Sequence, residues 1–138
     1  MIVDTSVLYD SLVDAPFSEQ ARHLVRSDVP MRAPDLLVVE LHGAITRAVR
    51  RKELTRETAL KLHARAQRLV PDTDEAAAFI ERAFALSLEL QHPISDCVFL
   101  AQAEMQADVL VTADEHFLRK LADTPHATRA VHVKDWRP

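Results

Sequence analysis

Short unbroken apolar runs alternate with longer stripes at helical spacing along this chain. Met1 to Thr5 reads as a short buried strand, apolar until Asp4. Residues about 17 to 27 place Phe17, Ala21, Leu24 and Val25 on one helical face. Val29 to Ala33, bounded by Pro30 and Pro34, reads as a weak second strand. Pro34 and Asp35 mark the start of a helix to about Arg51, and another follows from Thr55 to Leu69, closed by Pro71. Residues 74 to 90 carry Ala76, Phe79, Ile80, Ala83, Leu86 and Leu90 as a third long helix. Pro93 breaks the chain, and Ser95 is placed to cap a helix from Asp96 to about Ala107. Asp108 to Thr112 is the clearest strand, with a short helix over 115–121 and a last strand over 130–133 after it. Short apolar strands alternating with amphipathic helices predict an α/β fold, a parallel sheet with helices on both faces.

Composition narrows the classes. The chain has 138 residues, 48% hydrophobic and 28% charged, which is ordinary for a globular protein and predicts one domain over 1–138. No run approaches the roughly 18 apolar residues of a membrane span. No basic leader precedes an apolar segment, so a secretory signal is not expected. A lone cysteine, Cys97, makes no internal disulfide and points to a cytoplasmic home. One glycine, Gly43, excludes a glycine-rich phosphate loop. A net charge of −4 disfavours a passive nucleic-acid binder.

Four acids stand beside apolar runs. Asp4 ends Met1-Ile2-Val3, Glu40 follows Leu36-Leu37-Val38-Val39, Asp96 precedes Cys97 to Ala101, and Asp114 follows Val109 to Thr112. Each has a plainer reading. Asp4, Asp96 and Asp114 suit helix starts, and Glu40 suits a solvated face or a pair with Arg47. Taken jointly, acids at strand carboxyl ends and at a helix start belong at one edge of the sheet, where ligands gather in such folds. Acids that converge there repel, and a divalent cation neutralises them. Hard carboxylate oxygens suit Mg2+ or Mn2+, ions that activate water and stabilise charge on a phosphodiester. Ser6 and Thr112 are hydroxyls placed to steady this shell or, more plainly, to bond backbone at a strand end.

Arg47, Arg50, Arg51, Lys52 and Arg56 follow Glu40 with only Glu53 among them. At 100° per residue, Arg47 and Arg51 lie within about 20° of Glu40 on the same helix face. That suits a polyanion laid across the helix, and equally a solvated helix end. His42, His63, His92 and His116 are the histidines near these segments, and none has zinc-ligand spacing with another. No Gly-x-Ser-x-Gly pattern supports a serine hydrolase. A phosphoacceptor receiver is disfavoured because only Asp4 follows the first strand.

With these residues in hand, the chain resembles a PIN-domain ribonuclease, most closely the VapC-like toxins of type II toxin–antitoxin modules. The likeness runs through Ile2-Val3-Asp4-Thr5-Ser6-Val7-Leu8, Pro34 to Leu41 around Glu40, Ile94 to Ala103 around Asp96, and Asp108 to Asp114. Two positions depart from it. Ser95 stands where tyrosine is common, and His116 stands where some members carry a further acid. The resemblance implies a three-layer fold with a mostly parallel sheet of four or five short strands. It also implies a magnesium-dependent endoribonuclease acting on structured RNA such as tRNA or rRNA. Asp4, Glu40, Asp96 and Asp114 would hold the metal, Ser6 and Thr112 would orient the shell, and Arg47 and Arg51 would steer RNA. A homodimer and a cognate antitoxin covering the pocket are implied as partners. The alternatives are a non-catalytic PIN-like binding module and a DNA-directed nuclease.

Overall fold

Parallel strands need a crossover between neighbours, and the helices of this chain supply one each time. In the computed structural model, which describes residues 1–138, five strands form one sheet in the order β3-β2-β1-β4-β5, every pair parallel. They are β1 (Ile2–Val3), β2 (Arg32–Pro34), β3 (Asp72–Asp74), β4 (Leu110–Thr112) and β5 (Ala130–His132). Seven helices connect them: α1 (Thr5–Leu12), α2 (Ser18–Val25), α3 (Leu36–Arg50), α4 (Arg56–Leu69), α5 (Ile80–Leu90), α6 (Ile94–Met105) and α7 (Glu115–Leu121). This is an α/β architecture, a parallel sheet of five short strands flanked by helices on both faces.

The central strands are buried on both faces, which is why β1 and β4 read as continuous apolar runs. Ile2 pairs with Arg32 on one side and Leu110 on the other, and Val3 pairs with Val111. Helices α1 to α4 pack as one group, with α1 against β4. Helices α5 and α6 form the other group, with α6 against β1, β2 and β4. Seven consecutive residues of α6, Cys97 to Ala103, are buried, so this helix is apolar almost all round. None of the helices is long and apolar enough to cross a membrane.

Three elements differ from the sequence pattern. The stretch after Asp4 turns at once into α1, which the brevity of β1 concealed. Val7, Leu8, Ser11 and Leu12 form its buried face. The region over 74–90 is not one helix. It opens with β3, then a 3-10 turn over Ala76–Phe79, and only then α5. Strand β3 escapes an apolar-run search because Asp72-Thr73-Asp74 is an edge strand, and polar residues protect such an edge. Asp74 binds it into the fold: Arg32 pairs with one carboxylate oxygen at 2.6 Å, and Gln102 and Gln106 donate to the other at 2.7 and 3.1 Å. Helix α6 begins at Ile94, so Ser95 lies in its first turn rather than capping it. Thr55, by contrast, caps α4 by accepting from the Thr58 amide. Asp35 precedes α3 without capping it, and its side chain instead accepts from the Ala76 amide at 2.9 Å, tying α3 to the turn after β3.

Candidate functional site

At the carboxyl edge of the sheet lies a cleft of about 850 Å³, and all four acids line it: Asp4 after β1, Glu40 on α3, Asp96 in the first turn of α6, and Asp114 after β4. Ser6, Arg47 and Arg51 also line it. Thr112 is fully buried just beneath.

Asp4 stands at the N-cap position of α1, yet its side chain makes no capping bond. Its Oδ2 instead accepts two hydroxyls, Ser6 Oγ at 2.6 Å and Thr112 Oγ1 at 2.6 Å. Those hydroxyls in turn accept amides: Ala113 N donates to Ser6 Oγ at 2.9 Å and Asp114 N to Thr112 Oγ1 at 3.0 Å. The carboxylate of β1 is thus braced by the end of β4. Glu40 is fixed across the cleft by Thr5, whose Oγ1 donates to Oε2 at 2.8 Å. Asp96 accepts from His92 Nε2 at 2.7 Å. The His92 ring is stacked on Phe117, 4.6 Å between centroids and 15° from parallel, and its backbone carbonyl is held by Ser87 Oγ at 2.6 Å. Asp114 caps α7, its Oδ1 accepting from the Phe117 amide at 2.9 Å.

Three of the acids are pushed above the usual carboxylate range. For Asp4 the chief cause is burial, and the charge of Asp96 adds to it against the opposing pull of Ser6 and Thr112. Glu40 is raised by burial first, then by Asp4 and Asp96, with Thr5 and Arg47 opposing. Burial also raises Asp96, with Asp114 adding and His92 and His116 opposing. Each of these carboxylates therefore feels another across the cleft, which is the situation a cation relieves.

The donor set fits a hard cation. It comprises carboxylates and hydroxyls, with no thiolate available, since burial pushes Cys97 up to about 11. No three acid, histidine or cysteine side chains close on one point as a finished coordination sphere. A hard cation such as Mg2+ keeps several waters and takes one or two carboxylates, and Asp4, Glu40, Asp96 and Asp114 are the residues that could supply them.

Sequence reasoning missed Thr5, Tyr9, Glu53 and His92. Thr5, Tyr9 and Glu53 line the cleft. His92 lies four residues before Asp96, a spacing that brings side chains together at a helix start. The remaining histidines separate: His116 lies 5.9 Å from His92, whereas His42 and His63 meet each other edge-on, 4.9 Å apart, in a groove between α3 and α4.

The family model described as PIN domain matches residues 1–122. No curated protein matches the sequence significantly. Among solved structures, a chain of a toxin–antitoxin complex from Klebsiella pneumoniae is similar in fold, with a TM-score of 0.61 and 19% identity over 96% of each chain.

Proposed function

The chain belongs to the PIN-domain family, and on that premise we propose that it is a metal-dependent endoribonuclease toxin held in check by an antitoxin. The observation that carries the reading is the meeting of four carboxylates from four separate elements in one cleft. Asp4, Glu40, Asp96 and Asp114 are the residues that would hold Mg2+ or Mn2+. A bound cation supplies charge neutralisation and lowers the pKa of water, so that a phosphodiester is attacked at neutral pH. The chain's own contribution is positioning. Ser6 and Thr112 hold Asp4 through one oxygen and leave Oδ1 without a side-chain donor. Thr5 holds Glu40 and His92 holds Asp96, so the carboxylates are aimed before substrate arrives. Arg47 and Arg51, on the cleft wall, bind flanking phosphates of a structured RNA such as tRNA or rRNA.

The shared fold with a chain of a toxin–antitoxin complex supports an antitoxin as partner. A homodimer is supported by α5, where Ile80, Phe84 and Leu88 repeat every fourth residue and are 48%, 57% and 66% exposed. Residues 1–138 act as one unit in this reading, in the cytoplasm.

The test is cleavage of total cellular RNA by purified protein with Mg2+, with Mn2+ and with EDTA, alongside Asp4→Asn. Discrete metal-dependent fragments, absent in the variant, are expected. Full activity in Asp4→Asn would sink the cleft as the active site. No cleavage of RNA by a folded, antitoxin-free protein would move the reading to a DNA substrate or to a binding module.

A further inference from the structure

Four arginines from two helices line a second cavity away from the acidic cleft. Arg22 and Arg26, on and just after α2, and Arg65 and Arg68 on α4 surround about 300 Å³, with Ser11, Val25 and Leu69 completing the wall. None of these residues lines the cleft. Leu69 ends α4 three residues before β3 begins. The cavity therefore sits by the amino ends of the strands, at the opposite end of the sheet from the carboxylates.

One of the four guanidiniums is occupied. Arg22 donates to the carbonyls of Ser11 at 3.2 Å and Val13 at 2.9 Å and pairs with Asp14 at 3.3 Å. Arg26, Arg65 and Arg68 enter no ion pair, and no carboxylate lines the cavity. Besides Asp14, which holds Arg22, Glu19 lines an adjoining hollow with Arg22, His23 and Arg26. Basic residues near helix carboxyl ends suit the helix dipole, which accounts for Arg26 and Arg68 taken singly. It does not account for four like charges gathered around a concave space in a chain with 17 basic and 21 acidic residues. Gathered cations repel unless an anion joins them.

We infer that this cavity is a second phosphate-binding site, which grips the backbone of the RNA substrate at a distance from the cut. The inference rests on the ribonuclease reading above. A polyanion approaching a chain of net charge −4 and a cleft of carboxylates is repelled, so its attraction must come from segregated positive surfaces. Planar guanidinium forks match phosphate oxygens two at a time. Helix α4 carries Arg65 and Arg68 toward its carboxyl end, and none of its residues lines the cleft. An RNA that reaches both sites presents two backbone segments, so the site selects folded RNA over a few nucleotides of single strand.

The test uses Asp4→Asn protein, so that RNA is bound and not cut, with bulk tRNA, bulk rRNA, a six-nucleotide single strand and a polyglutamate peptide as probes across a salt series. Arg26→Glu, Arg65→Glu and Arg68→Glu are combined, with Arg65→Gln/Arg68→Gln as a milder pair, and thermal melts verify folding. The triple variant is expected to bind tRNA at least tenfold more weakly at physiological salt. Its salt slope should shrink by about one for each phosphate no longer gripped. The Gln pair should fall between, and hexamer binding should hold. Unchanged tRNA affinity and slope would overturn the proposal, as would an equal weakening for the hexamer, which would mark a general charge effect. So would unchanged tRNA binding with loss of a polyglutamate peptide, which would make the cavity a seat for an acidic protein segment. If the parent itself binds neither tRNA nor rRNA, the ribonuclease reading falls and takes this one with it.

Discussion

Replacing Thr112 by valine keeps the shape of a fully buried side chain and removes only its hydroxyl. That hydroxyl donates to Asp4 Oδ2 at 2.6 Å and accepts from the Asp114 amide at 3.0 Å. Losing a hydrogen bond to a charged group costs about 1.5–3 kcal/mol, and a buried amide left without a partner costs about 1–3 kcal/mol. Both effects share one atom and the strand end relaxes, so they do not add fully. We expect Thr112→Val to destabilise the fold by about 2–4 kcal/mol, a large part of the roughly 5–15 kcal/mol that holds a domain together. Thr112→Ser keeps the hydroxyl and should lose no more than about 1.5 kcal/mol, the cost of a buried methyl. The assay is urea unfolding followed by circular dichroism at pH 7 in EDTA, since a bound cation would stabilise the native state and mask the difference. Ser6→Ala and the double variant complete a cycle, and coupling is expected because both hydroxyls serve one carboxylate oxygen. A Thr112→Val protein within about 0.5 kcal/mol of the parent, the scatter of ordinary surface changes, would refute the bracing of Asp4 by β4.

Asp4→Asn should behave oppositely in the same assay. Burial raises the Asp4 carboxyl, so an ionised Asp4 costs stability as pH climbs above its unfolded value. The variant should therefore unfold at higher urea than the parent at pH 7 in EDTA, and a lower midpoint would contradict the burial argument. His92→Phe keeps a flat ring on Phe117 but removes the donor to Asp96. Mn2+ affinity read by paramagnetic resonance should fall about tenfold or more, with His92→Gln partly restoring it, and equal affinities would make His92 a packing residue only. Glu104 concerns pH. Burial works to raise it, but hydrogen bonds from Arg82 and His126 outweigh that and hold it below its usual value. A carboxyl with a depressed folded value adds stability above its unfolded value and loses it as pH falls through the folded one. Glu104→Gln should therefore cost about 1.5–3 kcal/mol at pH 7, and this deficit should close progressively below about pH 4 in urea titrations at stepped pH. A deficit that persists undiminished in acid would refute it. Phe84→Glu should turn the proposed homodimer into a monomer in light scattering, and an unchanged mass would remove α5 from the interface.

What was legible in the sequence follows from how each element is stabilised. Strands β1 and β4 are covered on both faces, so their apolar runs are unbroken and the acid that ends each run stands out. Glu40 and Asp96 are visible for the same reason, as charges beside the buried residues of α3 and α6. Strand β3 had no such signal because its stability comes from side chains far away in sequence. Asp74 is held by Arg32, Gln102 and Gln106, and periodicity over neighbouring residues cannot register partners 28 to 42 positions distant. The supports of the cleft divide along the same line. Ser6 and Thr112 sit within two residues of an acid, so proximity in sequence pointed to them. Thr5 also adjoins Asp4, but its hydroxyl crosses to Glu40, 35 residues away, and leaves Asp4 to Ser6 and Thr112. His92 looked like one of several scattered histidines until the start of α6 carried Asp96 onto it and Phe117 came from α7 to stack on its ring. The carboxylates of the cleft are thus marked by local cost, an acid beside a buried run. The groups that aim them are set by tertiary contact, and only the fold reveals them.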